Sequence, residues 1–166
     1  GAFESSLVCF HERSVWLISG TGQVIGDIAD WSITRTNARV GAVGHRAWQR
    51  VPAGAVYADQ KGAFHTTSIA TLAYFTPFGD IRIFDGDNDI IISFPVLETL
   101  QGLNFSQRNK VISFSDPVRN EIGWIFPTGS SDTPNKSVVW NHAFGVWYVR
   151  TPQEFSSILS TDFVSS

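Results

Sequence analysis

Short apolar runs alternate with clusters of Gly, Pro, Asn, Asp and Ser along most of the chain. Such runs, when rich in β-branched and aromatic residues and bounded by turn residues, are typical of β-strands. The predicted strands are Leu7–Phe10, Val15–Ile18, Trp31–Thr34, Ala55–Ala58, Phe64–Thr67, Ile69–Phe75, Ile81–Phe84, Ile90–Ile92, Val111–Phe114, Ile122–Phe126, Ser137–Trp140 and Val146–Val149. Roughly a dozen short strands at about ten-residue spacing predict an all-β fold.

Helical patterns are scarce by comparison. Val96, Leu100 and Leu103 share one helical face, and Pro95 suits a first helical position, so a short helix over Pro95–Leu103 with Ser93 as its N-cap is predicted. Thr151–Glu154 has capping-box spacing and predicts a further one- or two-turn helix reaching Leu159.

Two segments of the chain repeat one outline. Lys110–Arg150 and Leu7–Arg35 each place strands between turns, and each ends on a Trp-containing strand followed by Arg-Thr, "WYVRT" and "WSITRT". A period of about 40 residues or more is typical of β-propeller blades. We therefore expect four-stranded propeller-like blades, three or four of them, in one domain over residues 1–166.

The segment "NKSVVWNHAFGVWYVRT", from Asn135 to Thr151, predicts a hairpin that carries Trp140 and Trp147. In a propeller blade the last two strands lie at the outer rim, where large aromatics fill the gap between neighbouring blades. A hairpin of a β-sandwich with two core tryptophans fits the same segment equally well, and the repeat period favours the propeller. Either fold predicts that both indole rings are largely buried.

Composition narrows the class of protein. Hydrophobic residues make up 43% of the chain and charged residues 16%, which is typical of a folded globular domain. The net charge is −3 and there is no run of Lys or Arg, so the usual signature of nucleic-acid binding is missing. No apolar stretch is long enough for a membrane span, and the start has no secretory signal pattern. The absence of Met and the initial Gly indicate a fragment or a processed chain.

Several blocks, taken in order, resemble the β-propeller region of bacteriophage tail proteins near the head–tail junction, the adaptor or nozzle proteins and related packaged-DNA stabilisation proteins. The blocks are "VCFHERSVWLISGTG", "GHRAWQRVPAGAVYADQKGAF", "GDIRIFDGDNDIIIS", "NKVISFSDPVRNEIGWIFPTGSS" and "SVVWNHAFGVWYV". Gly79–Gly86 and Val138–Trp147 fit the family pattern best. Because 166 residues supply only three or four blades, the resemblance implies part of a larger propeller.

The resemblance implies a structural virion protein and not an enzyme. Its expected partners are other tail or connector proteins and further copies in a homo-oligomeric ring, with passage of DNA without sequence-specific binding and no membrane span. The expected location is the virion, assembled in the host cytoplasm. A lectin-like module that binds glycans or receptors through exposed aromatic rings is the alternative, and a glycan hydrolase is a more distant one.

Motifs that could carry chemistry are weak, so no catalytic, cofactor-binding or metal-binding residues and no cofactor are predicted. Gly20–Gly26 has the wrong spacing for a dinucleotide fingerprint and indicates a turn. Asp85–Asp89 alternates three carboxylates as calcium loops do, but it lacks the Gly and Glu of an EF-hand, and a hairpin turn is the ordinary interpretation.

Histidine, cysteine and asparagine complete the candidates. No two of His11, His45, His65 and His142 have the local spacing of a zinc site. Cys9 shares one side of a strand with His11, which would allow an activated thiol, although a small buried hydrophobe is the usual role. Asn104 and Asn135 begin glycosylation sequons, which we interpret as chance matches.

Overall fold

The computed structural model describes the backbone of residues 2–3, 6–20, 24–25 and 28–150, and the side chains of residues 6–20 and 30–150. Its strands are β1 (Ala2–Phe3), β2 (Ser6–His11), β3 (Ser14–Ser19), β4 (Val24–Ile25), β5 (Ile28–Ala29), β6 (Ser32–Arg35), β7 (Trp48–Val51), β8 (Val56–Ala58), β9 (Phe64–Thr66), β10 (Thr71–Phe75), β11 (Ile81–Phe84), β12 (Asp89–Ile91), β13 (Ile112–Asp116), β14 (Glu121–Phe126), β15 (Lys136–Asn141) and β16 (Val146–Arg150). The α-helix α1 spans Leu97–Leu100, and 3₁₀ turns span Phe94–Val96 and Phe105–Lys110. The predicted all-β class is therefore confirmed.

The strands form three four-stranded antiparallel sheets that follow one another along the chain. The first sheet has the order β1-β2-β3-β6, the central sheet β7-β10-β11-β12 and the last sheet β13-β14-β15-β16. Each is a meander in which neighbours in space are neighbours in sequence, apart from inserted hairpins. The hairpin β4–β5 interrupts the first sheet, and the hairpin β8–β9 interrupts the central sheet.

The central sheet is buried on both faces, and its alternating side chains show which sheet lies on each side. Leu72 and Tyr74 of β10 belong to a cluster with Val8 and Val15 of the first sheet. Ala73 and Phe75, which point the other way, belong to a larger cluster with the last sheet. All five residues of β10 are buried, so burial does not alternate along this strand as it does in a strand with one exposed face.

The core between the central and last sheets is the larger of the two. It contains Ile81 and Ile83 of β11, Ile122 and Trp124 of β14, and Trp140 of β15, all with at most 3% of their surface exposed. The residues that follow β12 close the same core, since Val96 and Leu100 are buried in it. The predicted helix over Pro95–Leu103 is present in its first part, as a 3₁₀ turn followed by one α-helical turn that ends at Leu100, and Leu103 instead forms a β-bridge with Thr128.

Ser93 occupies the predicted N-cap position, at the start of the 3₁₀ turn. Its side chain makes no capping hydrogen bond, and its hydroxyl oxygen accepts a hydrogen bond from the backbone N–H of Ile81 at 3.0 Å. Ser93 thus continues the pairing of β11 beyond the end of β12. The predicted helix starting at Thr151–Glu154 lies outside the described residues.

The three sheets are joined by specific polar contacts as well as by apolar packing. The Tyr74 hydroxyl donates to the carbonyl of Val40 at 2.9 Å, and burial raises the pKa of this phenol, so the donor stays protonated. The Trp124 indole N–H donates to the carbonyl of Ala47 at 3.1 Å across the larger core. Within the described residues, no helix is long and apolar enough to cross a membrane.

Candidate functional site

The predicted hairpin is formed by β15 and β16, and its two tryptophans lie directly opposite each other. The Trp140 and Trp147 rings are stacked with centroids 6.0 Å apart, and Trp124 continues the stack 6.1 Å from Trp147. Trp140 is fully buried, as predicted, and its N–H donates to the carbonyl of Val56 at 3.0 Å. Trp147 is only partly buried, although its N–H is enclosed without an acceptor among the described residues.

Exposed apolar side chains surround the turn of this hairpin. The rim patch, as we call Phe64, Phe144 and Val146, has exposed fractions of 67%, 72% and 53%. Gly145 lies under it in a left-handed conformation, with φ of 69°, and a Cβ there would lie 3.1 Å from the Phe64 ring. The rim patch is therefore an apolar surface, shared by the β15–β16 and β8–β9 hairpins, that another molecule can reach.

A second apolar surface is the outer face of the first sheet, which we define by Leu7, Cys9, Trp16, Ile18 and Ile33. Strand pairing sets Leu7 opposite Ile18, Cys9 opposite Trp16 and Ile18 opposite Ile33, so all five side chains share one face. Leu7 is 49% exposed, Trp16 36% and Ile33 65%. The opposite face of the same sheet packs on the central sheet.

Cys9 is half-buried on this face and forms no disulfide. His11 is exposed at the end of the same strand, and no hydrogen bond joins the two side chains in the described part of the chain. The Trp16 ring covers the position opposite Cys9, and the Arg35 guanidinium lies 6.0 Å from the centre of that ring. The geometry therefore gives Cys9 a packing role beside an aromatic ring.

The Asp85–Asp89 turn joins β11 and β12, as predicted, and protein donors occupy its carboxylates. Asp85 accepts from the backbone N–H groups of Asp87 and Asn88 at 3.0 and 2.8 Å, which fixes the turn. Asp87 accepts from the Asn37 side chain at 2.7 Å and so ties the central sheet to the segment leaving the first sheet.

Asp89 at the end of the same turn is paired with Arg82, which also binds Asp80 through two nitrogens at 3.0 Å each. Among the residues that the structure describes, no group of three His, Cys, Asp or Glu side chains could hold a metal ion. The Asp85–Asp89 turn therefore links the central sheet to the segment that follows the first sheet. This role is more specific than that of the hairpin turn that the sequence predicts.

The histidines occupy four separate environments. The His65 ring lies 3.0 Å from an Asp59 oxygen and stacks on Tyr57 at 5.5 Å. His142 is buried beside Trp140, with its ring edge-on at 5.9 Å, and burial lowers the pKa of His142. His45 lines a crevice described below, and His11 is exposed.

The remaining candidates have structural roles. The Asn104 side chain accepts from the Ser106 N–H at 3.2 Å, which caps the 3₁₀ turn, and donates to the carbonyl of Ser131 at 3.0 Å. The Asn135 oxygen accepts from the backbone N–H of Thr128 at 2.8 Å. Gly20 follows β3 with a φ of 128°, and its backbone lies close to that of Asp30. Part of Gly20–Gly26 lies outside the described residues.

Sequence reasoning missed a crevice between the central and last sheets, at the edge where β7 and β13 meet. We call it the β7–β13 crevice; it encloses about 380 Å³ and is lined by His45, Arg46, Asn109, Lys110, Val111 and Pro134, among others. Lys110 lies more than sixty positions after His45 and Arg46 in the chain, so no local run of charges indicates the crevice. Only the pairing of the two sheets brings them together.

A second crevice lies at the other end of the same edge, with a volume of about 320 Å³. Arg50, Ser115, Asn120 and His142 contribute its polar lining. Asn120 is the one described non-glycine residue with a positive φ, 56°, which suits its place in the β13–β14 turn. Its carbonyl accepts from the His142 N–H at 2.9 Å, so this turn holds the histidine in place.

Comparison with known proteins does not assign the chain to a family. No protein-family model matches the sequence, and no curated protein matches it significantly. The function must therefore be argued from the arrangement of the sheets and from their exposed surfaces.

Proposed function

We propose that this chain supplies three blades of a propeller-type ring and serves as a structural component of a bacteriophage tail or head–tail connector. The observation that carries the proposal is the central sheet, a four-stranded meander buried on both faces between two meanders of the same kind. Stacked four-stranded meanders are the building plan of a propeller.

The contacts between the central and last sheets support a wedge-shaped arrangement. Their first strands, β7 and β13, lie side by side: the Ser113 N–H donates to the carbonyl of Arg46 at 2.7 Å, and the Gln49 amide donates to the Ser113 hydroxyl at 3.1 Å. Around the last strands, bulkier groups fill the space. The Trp stack lies there, and β16 rests against the 3₁₀ turn that follows β12. Two sheets that lie close together at their first strands and are separated by bulky side chains at their last strands are arranged as neighbouring blades around a propeller axis would be.

The outer face of the first sheet supports the need for a further blade. On the central sheet both faces are covered, whereas this face leaves Leu7, Trp16 and Ile33 substantially exposed. A large contiguous apolar surface on a folded protein marks an interaction site. The occupant that fits the repeat is one more four-stranded sheet, supplied by a longer chain or by another copy in a ring.

The role that follows is mechanical. A ring of blades would hold a tail in register, and a weakly acidic chain with net charge −3 would let DNA pass without sequence-specific binding. Mass spectrometry of purified tail particles, combined with cryo-electron microscopy, tests this role. We expect the chain in a ring at the head–tail junction. Particles that lack the chain would contradict the proposal.

The rim patch favours a second candidate function, glycan or receptor binding. Aromatic rings stack on sugar faces only where they are accessible; Trp124 and Trp140 are buried, whereas Phe64 and Phe144 are exposed. A glycan array would support this function if Phe144→Ala abolished binding while Phe105→Ala, at a separate exposed ring, left it intact. An array to which the wild-type chain does not bind would rule out glycan binding and leave the structural role.

A further inference from the structure

We propose that the β7–β13 crevice binds a nucleotide unit, with its phosphate on the basic side chains and its flat base on the apolar wall. The proposal is supported by the charge, the backbone contacts and the shape of the crevice, and it does not depend on the proposed structural role.

The charges at the crevice are unbalanced. His45, Arg46 and Lys110 line it, and none of the residues that line it is a carboxylate. In the described part of the chain neither Arg46 nor His45 is ion-paired, and the Lys110 amine donates to a backbone carbonyl, that of Asp132, at 2.6 Å. The two cations, Arg46 and Lys110, are complementary to an anion with several acceptor oxygens.

Arginines elsewhere in the described part of the chain are evenly divided, since Arg13, Arg35, Arg39 and Arg50 are not ion-paired and the other four are. The paired ones are Arg82 with Asp80 and Asp89, Arg108 with Glu12, Arg119 with Asp116, and Arg150 with Glu121. In a chain with more Asp and Glu than Lys and Arg, carboxylate partners are abundant. Arg46 is not among the paired arginines, and no carboxylate is among the residues that line its crevice.

The backbone behind these donors is fixed. The Arg46 carbonyl accepts from both the backbone N–H and the hydroxyl of Ser113, each at 2.7 Å. Lys110 ends a 3₁₀ turn, and Val111 beside it is only 1% exposed. The backbone on which the two donors stand is therefore held in place, and a ligand has to order only the exposed Arg46 and Lys110 side chains.

The volume and the lining of the crevice suit a ligand larger than a bare anion. A volume of about 380 Å³ falls in the range of small-molecule sites and exceeds what a phosphate group fills. Val111, Ile112 and Pro134 give the crevice an apolar wall beside the cations. A flat ring packed on that wall and a phosphate against Arg46 and Lys110 would use both halves, which is the chemistry of a nucleotide.

Isothermal titration calorimetry of the purified chain tests the site with dAMP, deoxyadenosine, inorganic phosphate and a short single-stranded DNA. We expect saturable binding of dAMP and much weaker binding of deoxyadenosine, which lacks the phosphate. Arg46→Gln and Lys110→Gln should each weaken dAMP binding by about tenfold, the effect of losing one charge-assisted hydrogen bond. Arg119→Gln is the matched control, because Arg119 lies on the β13–β14 turn outside the crevice, and it should leave the affinity unchanged.

The DNA strand identifies the source of the nucleotide. Tighter binding of the strand than of dAMP, with the same loss in Arg46→Gln, would place a unit of a DNA chain in the crevice, and weaker binding would favour a free nucleotide. Absence of saturable binding by both dAMP and the strand overturns the proposal. An equal loss in Arg119→Gln and Arg46→Gln overturns it as well, because it would reveal general attraction by surface charge.

Discussion

Trp140 and Trp147 face each other across the β15–β16 ladder, with ring planes inclined by 14° and centroids 6.0 Å apart. The pair differs in its polar ends. The Trp140 N–H has an acceptor on the β8 strand, whereas the Trp147 N–H is enclosed without one among the described residues. Trp140 thus anchors the β15–β16 hairpin to the β8–β9 hairpin, whereas Trp147 contributes its ring alone.

Trp147→Ala should lower the free energy of unfolding by about 3 kcal/mol, because it removes a ring that contacts both Trp124 and Trp140 and leaves a cavity. Trp147→Phe should cost less than about 1 kcal/mol, since it keeps an aromatic ring and removes an unpaired buried donor. Denaturant unfolding of the two variants measures both values. Equal losses in the two variants would contradict the assignment of the effect to packing of an aromatic ring between Trp124 and Trp140.

Gly123 and Phe114 provide a second stability test. They lie opposite each other in the β13–β14 ladder, and the Phe114 ring occupies the space where a Cβ on Gly123 would be. Gly123→Ala should therefore destabilise the chain by about 2 kcal/mol through overpacking. In a Phe114→Ala background the same change should cost much less, because the ring is gone. Additive losses in a double-mutant cycle would mean that the ring does not rest on this glycine.

Local patterns were sufficient for most strands but not for the grouping into three sheets. The β15–β16 hairpin and the β11–β12 hairpin have β-branched and aromatic runs around clear turns, and both are confirmed. Strand β7, "WQRV", was not predicted, because a four-residue strand with two polar side chains has no distinctive period. Without it the central sheet could not be recognised as a third repeat of the meander.

Long-range contacts explain why the surfaces were harder to predict than the strands. Burial of Trp140 follows from a large aromatic on a strand, but the partial exposure of Trp147 depends on how β8 and the 3₁₀ turn after β12 pack nearby. The β7–β13 crevice joins Arg46 to Lys110, and no local pattern encodes that approach. The Asp85–Asp89 turn was predicted, whereas its bond to Asn37 depends on the position of the first sheet.

His142 should make the stability of the chain fall in mild acid. Its pKa is lowered by burial below the ordinary 6.5, so the unfolded chain binds a proton at this site more readily than the folded chain. The contribution is present above about pH 6.5 and is lost as the pH falls through the lowered value. Chemical unfolding at about pH 7.5 and about pH 5 should show a larger loss for the wild type than for His142→Gln.

Exposed His11 is the control for that experiment, because His11→Gln should leave the wild-type pH dependence unchanged. Carboxylates such as Asp59 also respond to acid, since hydrogen bonds from His65 and from backbone N–H groups lower the pKa of Asp59. They do so below the ordinary value of 3.8, however, and they are common to all three chains. A wild-type curve that coincides with the His142→Gln curve would mean that His142 titrates alike in the folded and unfolded chains.

The outer face of the first sheet should govern association. Ile33 and Trp16 lie on strands that pair with each other, and a carboxylate introduced there would place a charge where the proposed further sheet would pack. In sedimentation velocity runs we expect the wild type to associate as its concentration rises and Ile33→Glu to stay monomeric. Val118→Glu is the matched control: Val118 is 89% exposed on the β13–β14 turn, away from this face, so its variant should associate like the wild type. A wild type that stays monomeric at high concentration would argue against a second copy as the occupant, and equal behaviour of the two glutamate variants would argue against this face as the interface.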